Sequence, residues 1–159
     1  PSRGLGDVYK RQVYEHNFAD AKIVRQEVFV EEQGFMMEFD EIDNHAIHVT
    51  LYLDKVLAGC ARMYADIEKD VMRIGRIALR KPYRKQGFGK VLVESCEAYG
   101  KKHKAKAFVL DAQCRMLGFY ERLNYQVDGE IHMDEHVPHV QMRKTLKDEQ
   151  SHEEFDFNT

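Results

Sequence analysis

Residues 71–93 read VMRIGRIALRKPYRKQGFGKVLV, and this stretch indicates the second half of the fold. The apolar run Val71–Leu79 predicts a strand. Lys81-Pro82 favours extended backbone, a short basic loop runs to Gly87, and a helix is expected from there to about His103. Its apolar face contains Phe88, Leu92, Cys96 and Tyr99. The next apolar run, Ala107–Leu110, is typical of a strand covered on both faces. Strand, helix and strand in this order predict a parallel crossover.

The residues before this stretch predict an antiparallel half of the sheet. A short strand from Val13 precedes a helix over Ala19–Val30, whose apolar residues follow helical spacing. After the polar stretch Glu31–Asn44, two apolar runs joined by Asp54-Lys55 are typical of a hairpin. These runs are His45–Leu53 and Val56–Tyr64. The strand Val71–Leu79 would extend this antiparallel meander.

The residues after Ala107–Leu110 predict one more helix and two closing strands. The helix covers Arg115–Leu123, and Asn124 can take the left-handed conformation in which Gly usually ends a helix. The strands are expected at about Tyr125–His132 and Val137–Thr145. The complete order predicts a mixed α/β fold, an α+β mixed sheet with an antiparallel first half and a helical crossover in the second.

The chain has 159 residues, which corresponds to a single domain, since domains usually have about 100–200 residues. We assign this domain to residues 13–147. Residues 1–12 are interpreted as a leader that is foreign to the fold or disordered, because they show no periodicity before Val8. Residues 148–159 are interpreted as an acidic tail.

Composition argues against several classes of function. The chain has 24 Lys and Arg against 27 Asp and Glu, so bulk positive charge gives no support for nucleic-acid binding. No apolar run approaches the roughly 18 residues of a membrane span, and no secretory signal is recognised. Three cysteines, Cys60, Cys96 and Cys114, are too few for a disulfide framework and form no C-x-x-C zinc motif. These features predict a cytoplasmic protein.

Positive charge is concentrated in residues 71–93, which contain seven basic residues and no acidic one. The basic residues are Arg73, Arg76, Arg80, Lys81, Arg84, Lys85 and Lys90. Residues 84–89 (RKQGFG) come directly before a helix, where backbone N–H groups, the helix dipole and cations can bind phosphate. Gly87 and Gly89 would let phosphate oxygens approach without a Cβ in the way. A helix start softened by glycine, with solvated lysines, is the alternative interpretation.

Two common phosphate-binding loops do not fit this stretch. A Walker loop requires Gly-Lys-Ser/Thr, but Val91 follows Gly89-Lys90. A dinucleotide-binding fingerprint requires a third glycine where Leu92 stands. Both are therefore disfavoured.

Several motifs resemble the GNAT superfamily of acyl-CoA-dependent N-acyltransferases. They are Ile77-Ala78-Leu79, Arg84-x-x-Gly87-x-Gly89, a long helix, a short strand, and Phe119-Tyr120 on the next helix. Other motifs resemble the ElaA-like branch of that superfamily, namely residues 27–33 (EVFVEEQ), Ala112-Gln113, and Val137-Pro138-His139 with Met142. The resemblance covers about residues 13–147 in consistent order. It departs from the family at Gln113, where many relatives have Asn, and at Asn124, where they have Gly.

The resemblance implies that acetyl-CoA is the cosubstrate and that no metal takes part. Backbone groups of residues 77–79 would pair with the pantetheine arm, and residues 84–90 would hold the pyrophosphate. The implied cofactor-binding residues are Ile77, Ala78, Leu79, Arg84, Lys85, Gln86, Gly87, Phe88, Gly89, Lys90, Gln113 and Phe119. In this family the fourth and fifth strands splay apart, and the thioester lies in the gap. The helix that carries Tyr120 would form the wall beside the sulfur.

Acyl transfer to an amine needs a neutral nucleophile and a proton for the leaving thiolate. Tyr120 is the candidate acid, because the pKa of a phenol, ~10, is close to that of a thiol, ~8.5. Ordinary packing of an aromatic side chain on a helix is the alternative. Glu32 is the candidate base, because it lies in the motif that resembles the ElaA-like branch.

Seven acidic residues and no basic residue lie between Glu27 and Asp43. They are Glu27, Glu31, Glu32, Glu38, Asp40, Glu41 and Asp43. These carboxylates could line an entrance for a cationic amine. A solvated acidic loop is the alternative. Carboxylates attract an ammonium group but also raise its pKa, so a crowd of them would oppose its deprotonation.

The histidines near the end of the chain suggest other chemistry. His132, His136 and His139 have spacings that could gather a metal, but no cysteine lies near, and we assign no metal site. His139 is instead a candidate to orient the acceptor or to act as base, and His45 is a weaker one. Nothing near Cys114 marks it as a lowered-pKa nucleophile, and direct transfer needs no covalent intermediate.

The sequence therefore predicts an enzyme that transfers an acetyl group from acetyl-CoA to a primary amine by direct attack in a ternary complex. The acceptor would be a small-molecule or peptide amine, and neither nucleic acid nor membrane is an expected partner. Exposed strand edges would allow a homodimer. A non-catalytic acyl-CoA-binding sensor and a metal-dependent hydrolase are the alternatives.

Overall fold

The computed structural model describes residues 9–147, which form a mixed sheet with helices on both faces. The strands run in the order β1-β2-β3-β4-β5-β8-β6, and β7 also pairs with β8. The strands are β1 (Arg11–Tyr14), β2 (Ile47–Leu53), β3 (Val56–Ala65), β4 (Val71–Leu79), β5 (Ala107–Gln113), β6 (Gln126–Val127), β7 (His132–Asp134) and β8 (Val137–Thr145). The α-helices are α1 (Phe18–Arg25), α2 (Phe88–Lys102) and α3 (Leu117–Arg122). The mixed α/β fold predicted from the sequence is thus confirmed.

The antiparallel half follows the predicted meander. Strands β2 and β3 pair antiparallel, and β3 pairs antiparallel with β4. The two residues between β2 and β3, Asp54 and Lys55, have φ of 49° and 69°. Positive φ at both central residues is the geometry of the tight turn whose twist matches that of the flanking strands. The predicted hairpin is confirmed.

The first helix differs from the prediction of one helix over Ala19–Val30. Asn17 caps α1 by accepting a hydrogen bond from the Asp20 N–H, and after Arg25 the chain continues as a π-helix over Gln26–Glu32. The wider π turn changes which side chains face the sheet. Val28 and Phe29 of the π-helix are buried, whereas Ile23 of α1 is half exposed.

Different helices cover the two faces of the sheet, and each face has its own core cluster. On one face, α2 packs its buried Phe88, Leu92 and Cys96 in a cluster with Phe108, Leu110 and Ala112 of β5. On the other face, α1 and the π-helix pack Ala21, Val24 and Val28 against Cys60 and Ala78. Since side chains alternate along a strand, Val109, Asp111 and Gln113 of β5 lie on the face opposite α2.

The parallel pairing between β4 and β5 is short. It joins Val71–Ile74 to Ala107–Leu110 and then ends, although both strands continue. Beyond Ile74, β4 contains a bulge, where Arg76 takes a positive φ of 49°. Residues 75–79 of β4 and 111–113 of β5 therefore border a gap in the sheet. This is the splayed arrangement that the resemblance implied.

The C-terminal part is less regular than predicted. The helix expected over Arg115–Leu123 is a 3₁₀ turn over Cys114–Met116 followed by the short α3. Asn124 takes the left-handed conformation expected of it, with φ of 72°. The strand expected at Tyr125–His132 is present only as the short β6, and β7 begins at His132; Gly129, with φ of 158°, lies between the two.

The predicted boundary of the leader requires a correction. Arg11 and Gln12 pair with Leu53 and Tyr52 of β2, and the ring of Tyr9 packs edge-on against Phe88. Residues 9–12 thus belong to the domain because they contribute to its sheet and core. Residues 1–8 and the predicted acidic tail, 148–159, lie outside the described residues. In the described part of the chain, no helix has the length and apolar character that a membrane span requires.

Candidate active site

The glycine loop before α2 leaves the start of that helix open. A 3₁₀ turn over Lys81–Tyr83 ends β4, and Gly87 then caps α2 in the left-handed conformation, with φ of 86°. Within residues 9–147, and apart from the neighbouring backbone, no heavy atom lies within 4 Å of where a Cβ of Gly87 would stand. Phe88, the first residue of the helix, is buried and anchors it to the core. The Gly87 side of the helix start is therefore open, and no side chain caps α2, so its first N–H groups are available to a phosphate.

Gly89 has a packing role that the sequence did not indicate. A Cβ at this position would lie 3.1 Å from Cζ of Phe119. The absence of a side chain at Gly89 thus allows α3 to pack closely against α2. Because Phe119 adjoins Tyr120, with ring centroids 4.9 Å apart, this contact also helps to hold the candidate acid.

Four of the seven basic side chains expected to attract an anion are already paired with carboxylates. The pairs are Arg73–Asp66, Arg76–Glu38, Arg80–Glu27 and Arg84–Glu32. Lys81, Lys85 and Lys90 are exposed and form no ion pair with any carboxylate between residues 9 and 147. Fewer basic side chains are thus available to a ligand than the sequence indicated, and they lie near the start of α2.

Arg84 is held in one orientation by three hydrogen bonds. Its Nε donates to the Leu79 carbonyl at 2.9 Å, and its two terminal nitrogens donate to the Glu32 carboxylate at 2.8 and 2.7 Å. The hydrogen bonds from Arg84 hold the pKa of Glu32 below its usual range. A carboxylate stabilised in this way is a weaker base, so the geometry argues against the general-base role predicted for Glu32.

Most carboxylates of the acidic segment are paired with arginines, which reduces the negative charge available to the predicted entrance for a cationic amine. Arg25 and Arg62, both buried, bind the carboxylates of Glu38, Asp40 and Asp43. Glu27 and Glu32 pair with Arg80 and Arg84. Glu31 and Glu41 remain exposed. The sequence could not reveal this pairing, because the arginines are far from the acids along the chain.

The two faces of the gap between β4 and β5 carry different groups. Tyr120 belongs to the core cluster on the α2 face and is 8% exposed. Burial raises the pKa of Tyr120, so its hydroxyl is protonated at neutral pH. On the opposite face, Gln113 donates to the side chain of Gln33 at 2.9 Å and accepts from Arg115 at 2.9 Å.

The segment 33–40 crosses the gap on the face opposite α2. At one end, Gln33 binds Gln113 of β5, and at the other end the Glu38 carboxylate pairs with Arg76 in the β4 bulge at 2.9 Å. Between them, the Glu135 carboxylate accepts hydrogen bonds from the N–H groups of Met36 and Met37. Both borders of the gap and the β7–β8 hairpin therefore fix this segment.

Comparison with known proteins identifies this arrangement. Residues 10–146 match the family model described as an acetyltransferase (GNAT) domain. The chain belongs to the GNAT family of acetyltransferases. This GNAT chain is also 38% identical over 140 residues to a candidate acetyltransferase of Bacillus subtilis (strain 168), with 85% of this chain and 94% of the relative covered.

Solved GNAT structures share the fold. A candidate N-acetyltransferase of Lactobacillus plantarum has a TM-score of 0.81 and 29% identity, with 86% of this chain and 99% of that chain covered. Escherichia coli ElaA gives a TM-score of 0.74 at 22% identity, with 86% and 99% covered. A Bacillus subtilis acetyltransferase in complex with CoA gives a TM-score of 0.67 at 16% identity, with 87% and 99% covered. ElaA and the CoA complex are less than 25% identical to this chain, so their likeness shows a shared fold alone.

The histidines of this GNAT chain divide between two places. His139 is buried beside Gln113, its partner across β5 and β8, and its Nδ1 lies 2.9 Å from the Val137 carbonyl oxygen. His45 is exposed where the 3₁₀ turn over Glu41–Asn44 meets β2, two strands away from the gap. The structure thus brings His139, but not His45, to the border of the candidate site.

Two residues at the gap, Asp111 and His132, were not predicted from the sequence to take part in acyl transfer. Asp111 follows the last β5 residue that pairs with β4, and His132 of β7 contacts it. The only sequence signal for Asp111 is a charged residue that ends the apolar run of β5. His132 was considered only as a metal ligand. Among residues 9–147, no group of three or more His, Cys, Asp or Glu side chains has the geometry of a metal site.

Proposed function

We propose that this GNAT protein transfers an acetyl group from acetyl-CoA to a primary amine by direct attack in a ternary complex. The observation that carries the proposal is the gap between β4 and β5, with the open start of α2 beyond the end of β4. A single extended cosubstrate fits this layout, because its anionic end can bind the helix start while its thioester enters the gap.

The residues at the gap suit the parts of acetyl-CoA. The free N–H groups at the start of α2, with Lys85 and Lys90, would hold the pyrophosphate. Backbone groups of Ile77 and Leu79, which have no partner on β5, would pair with the amides of the pantetheine arm. The fold that this chain shares with a GNAT structure that contains CoA supports this assignment.

The chemistry needs the acceptor amine in its neutral form. With an ammonium pKa of ~10.4, deprotonation at pH 7 costs roughly 4–5 kcal/mol. A base on the acceptor side would remove this proton. The Tyr120 hydroxyl would donate a proton to the sulfur as the C–S bond breaks. No covalent enzyme intermediate is required, because the amine attacks the thioester directly.

Two measurements on the whole chain test the proposal. Isothermal titration calorimetry with acetyl-CoA should give saturable binding, and a panel of amines should release free thiol in the presence of acetyl-CoA. The panel should include polyamines, amino sugars, amino acids and a lysine peptide. Binding without turnover of any amine would favour the acyl-CoA sensor, and no binding of acetyl-CoA would overturn the assignment.

A further inference from the structure

We propose that His132, oriented by Asp111, is the general base that deprotonates the acceptor amine. The proposal rests on the proposed acetyl transfer and names the residue that removes the proton from the acceptor amine. His132 would be a catalytic residue because it would contact the amine directly or through one water. Asp111 would be a positioning residue that acts through the imidazole.

The position of Asp111 in the sheet supports this role. Leu110 is the last β5 residue paired with β4, so Asp111 is the first residue at the point where the gap opens. Leu110 and Ala112 face α2 and Tyr120, and Asp111 therefore lies on the opposite face. An acid on one face could then protonate the leaving sulfur, while a base on the other face deprotonates the amine that attacks the same thioester.

The Asp111–His132 pair has the geometry of a base and its orienting group. Nε2 of His132 lies 2.9 Å from Oδ2 of Asp111. Because an ionised carboxylate only accepts hydrogen bonds, Nε2 must carry the proton, which leaves the lone pair of a neutral imidazole on Nδ1. The His132 side chain is 50% exposed, so a substrate or a water can reach it.

The surroundings of His132 also stabilise its protonated form. Asp111 of β5 raises the pKa of His132 through its hydrogen bond and its charge, and Asp134 on the same strand adds to this effect. The ring of His139 in β8 stacks on that of His132, with centroids 6.2 Å apart. The Glu130 carbonyl oxygen lies 3.4 Å from Nδ1 and can accept a hydrogen bond from Nδ1–H once the ring is protonated.

The protons and bonds of the reaction balance in this arrangement. The acceptor ammonium first gives one proton to Nδ1 of His132, which later releases it to solvent. The amine nitrogen then attacks the thioester carbon, and the N–C bond forms as the C–S bond breaks. The nitrogen loses its second proton to solvent, and the thiolate gains a proton from Tyr120, which solvent restores.

The test uses the full chain and an amine that the wild-type protein acetylates. His132→Gln and Asp111→Asn are compared with His103→Gln, a control at the exposed end of α2. For His132→Gln, kcat/KM for the amine should fall at least 30-fold at pH 7. The difference in kcat/KM between this variant and the wild-type protein should become smaller towards pH 9.5, because a larger fraction of the amine is already neutral there. The Kd of acetyl-CoA should stay within about twofold.

Asp111→Asn supplies a readout that a purely structural role would not move. Without the carboxylate, the pKa of His132 should fall, so the acidic limb of the kcat/KM profile should shift to lower pH while its plateau drops about tenfold. An unchanged profile in both variants would overturn the proposal while leaving acetyl transfer intact. Failure of the wild-type protein to bind acetyl-CoA or acetylate any amine would overturn both.

Discussion

At the scale of single residues, pairing decides which charged groups are available for chemistry. Glu32 and Arg84, expected to act as base and phosphate ligand, bind each other through two hydrogen bonds. Each group therefore reduces the reactivity of the other. Removing the carboxylate frees the guanidinium for a phosphate, whereas reversing the charge at residue 84 places a carboxylate where the pyrophosphate should bind.

Glu32→Gln should tighten the binding of acetyl-CoA about threefold, since a partly exposed ion pair contributes up to ~1 kcal/mol and its loss frees Arg84. Its kcat should stay within about threefold of the wild-type value. Arg84→Glu should weaken the binding at least tenfold, about 1.4 kcal/mol. Calorimetric titration measures both, with Glu31→Gln as the control for a neighbouring exposed acid. A loss of kcat above 100-fold in Glu32→Gln would restore its role as base.

Tyr120→Phe should lower kcat at least tenfold, which is about 1.4 kcal/mol of barrier, because the leaving sulfur loses its hydrogen-bond donor. The Kd of acetyl-CoA should not change, since the ring and its packing are retained. Steady-state kinetics with thiol detection and calorimetry give the two quantities. Unaltered turnover would remove Tyr120 from the reaction and leave only its role in the core.

At the scale of elements, the contact between α2 and β5 determines where the start of α2 lies relative to the gap. Gly100 is the point of closest approach, because a Cβ there would lie 2.3 Å from Cε1 of Phe108. Phe108 is itself fully buried in β5. The helix can therefore pack at this distance only with glycine at residue 100.

Gly100→Ala should destabilise the protein by up to about 2 kcal/mol, because overpacking against Phe108 costs about 1–3 kcal/mol and the gain in helix propensity is about 1 kcal/mol. The melting temperature should fall by several degrees. Gly118→Ala on α3 is the matched control, since its Cβ would meet only the flexible end of Arg122, at 3.5 Å. That variant should be neutral or more stable. Equal stability of both variants would contradict the proposed close contact.

At the scale of the whole molecule, a buried ionic cluster joins parts that are distant in sequence. Arg25 of α1 and Arg62 of β3 both bind Asp43, at 2.7 and 2.9 Å. Burial alone would raise the pKa of Asp43, but the hydrogen bonds from Arg25 and Arg62 hold it well below its usual range. Burial raises the pKa of Glu38 in the same cluster. The contribution of Glu38 to the pH dependence of stability therefore has the opposite sign to that of Asp43. The cluster attaches the segment across the gap to both α1 and the sheet.

The lowered pKa of Asp43 means that its ionised form stabilises the folded state. Its contribution is present above the unfolded-state pKa of ~3.9 and is lost as the pH falls towards the folded-state value. Asp43→Asn should lower the free energy of unfolding at pH 7 by about 3–5 kcal/mol, because two buried guanidinium groups lose a partner. Its stability should also vary less between pH 5 and pH 3 than that of the wild-type protein.

Urea unfolding at pH 7, 5, 4 and 3 measures the contribution of Asp43. Glu41→Gln is the control, since Glu41 is an exposed acid of the same 3₁₀ turn. Parallel pH profiles for Asp43→Asn and the wild-type protein would show that Asp43 does not control the acid transition.

The sequence by itself determined the order of strands and helices, the hairpin at Asp54-Lys55, the crossover around α2 and the glycine that opens its first turn. These features depend on local properties, namely the period of apolar residues and the backbone freedom of particular residues. Only the tertiary structure decided which charges neutralise each other, that Gly89 accommodates Phe119, and that Asp111 lies beside His132 at the gap. Such contacts join residues as far apart as Glu27 and Arg80, which are 53 positions apart, and no local pattern encodes their partners.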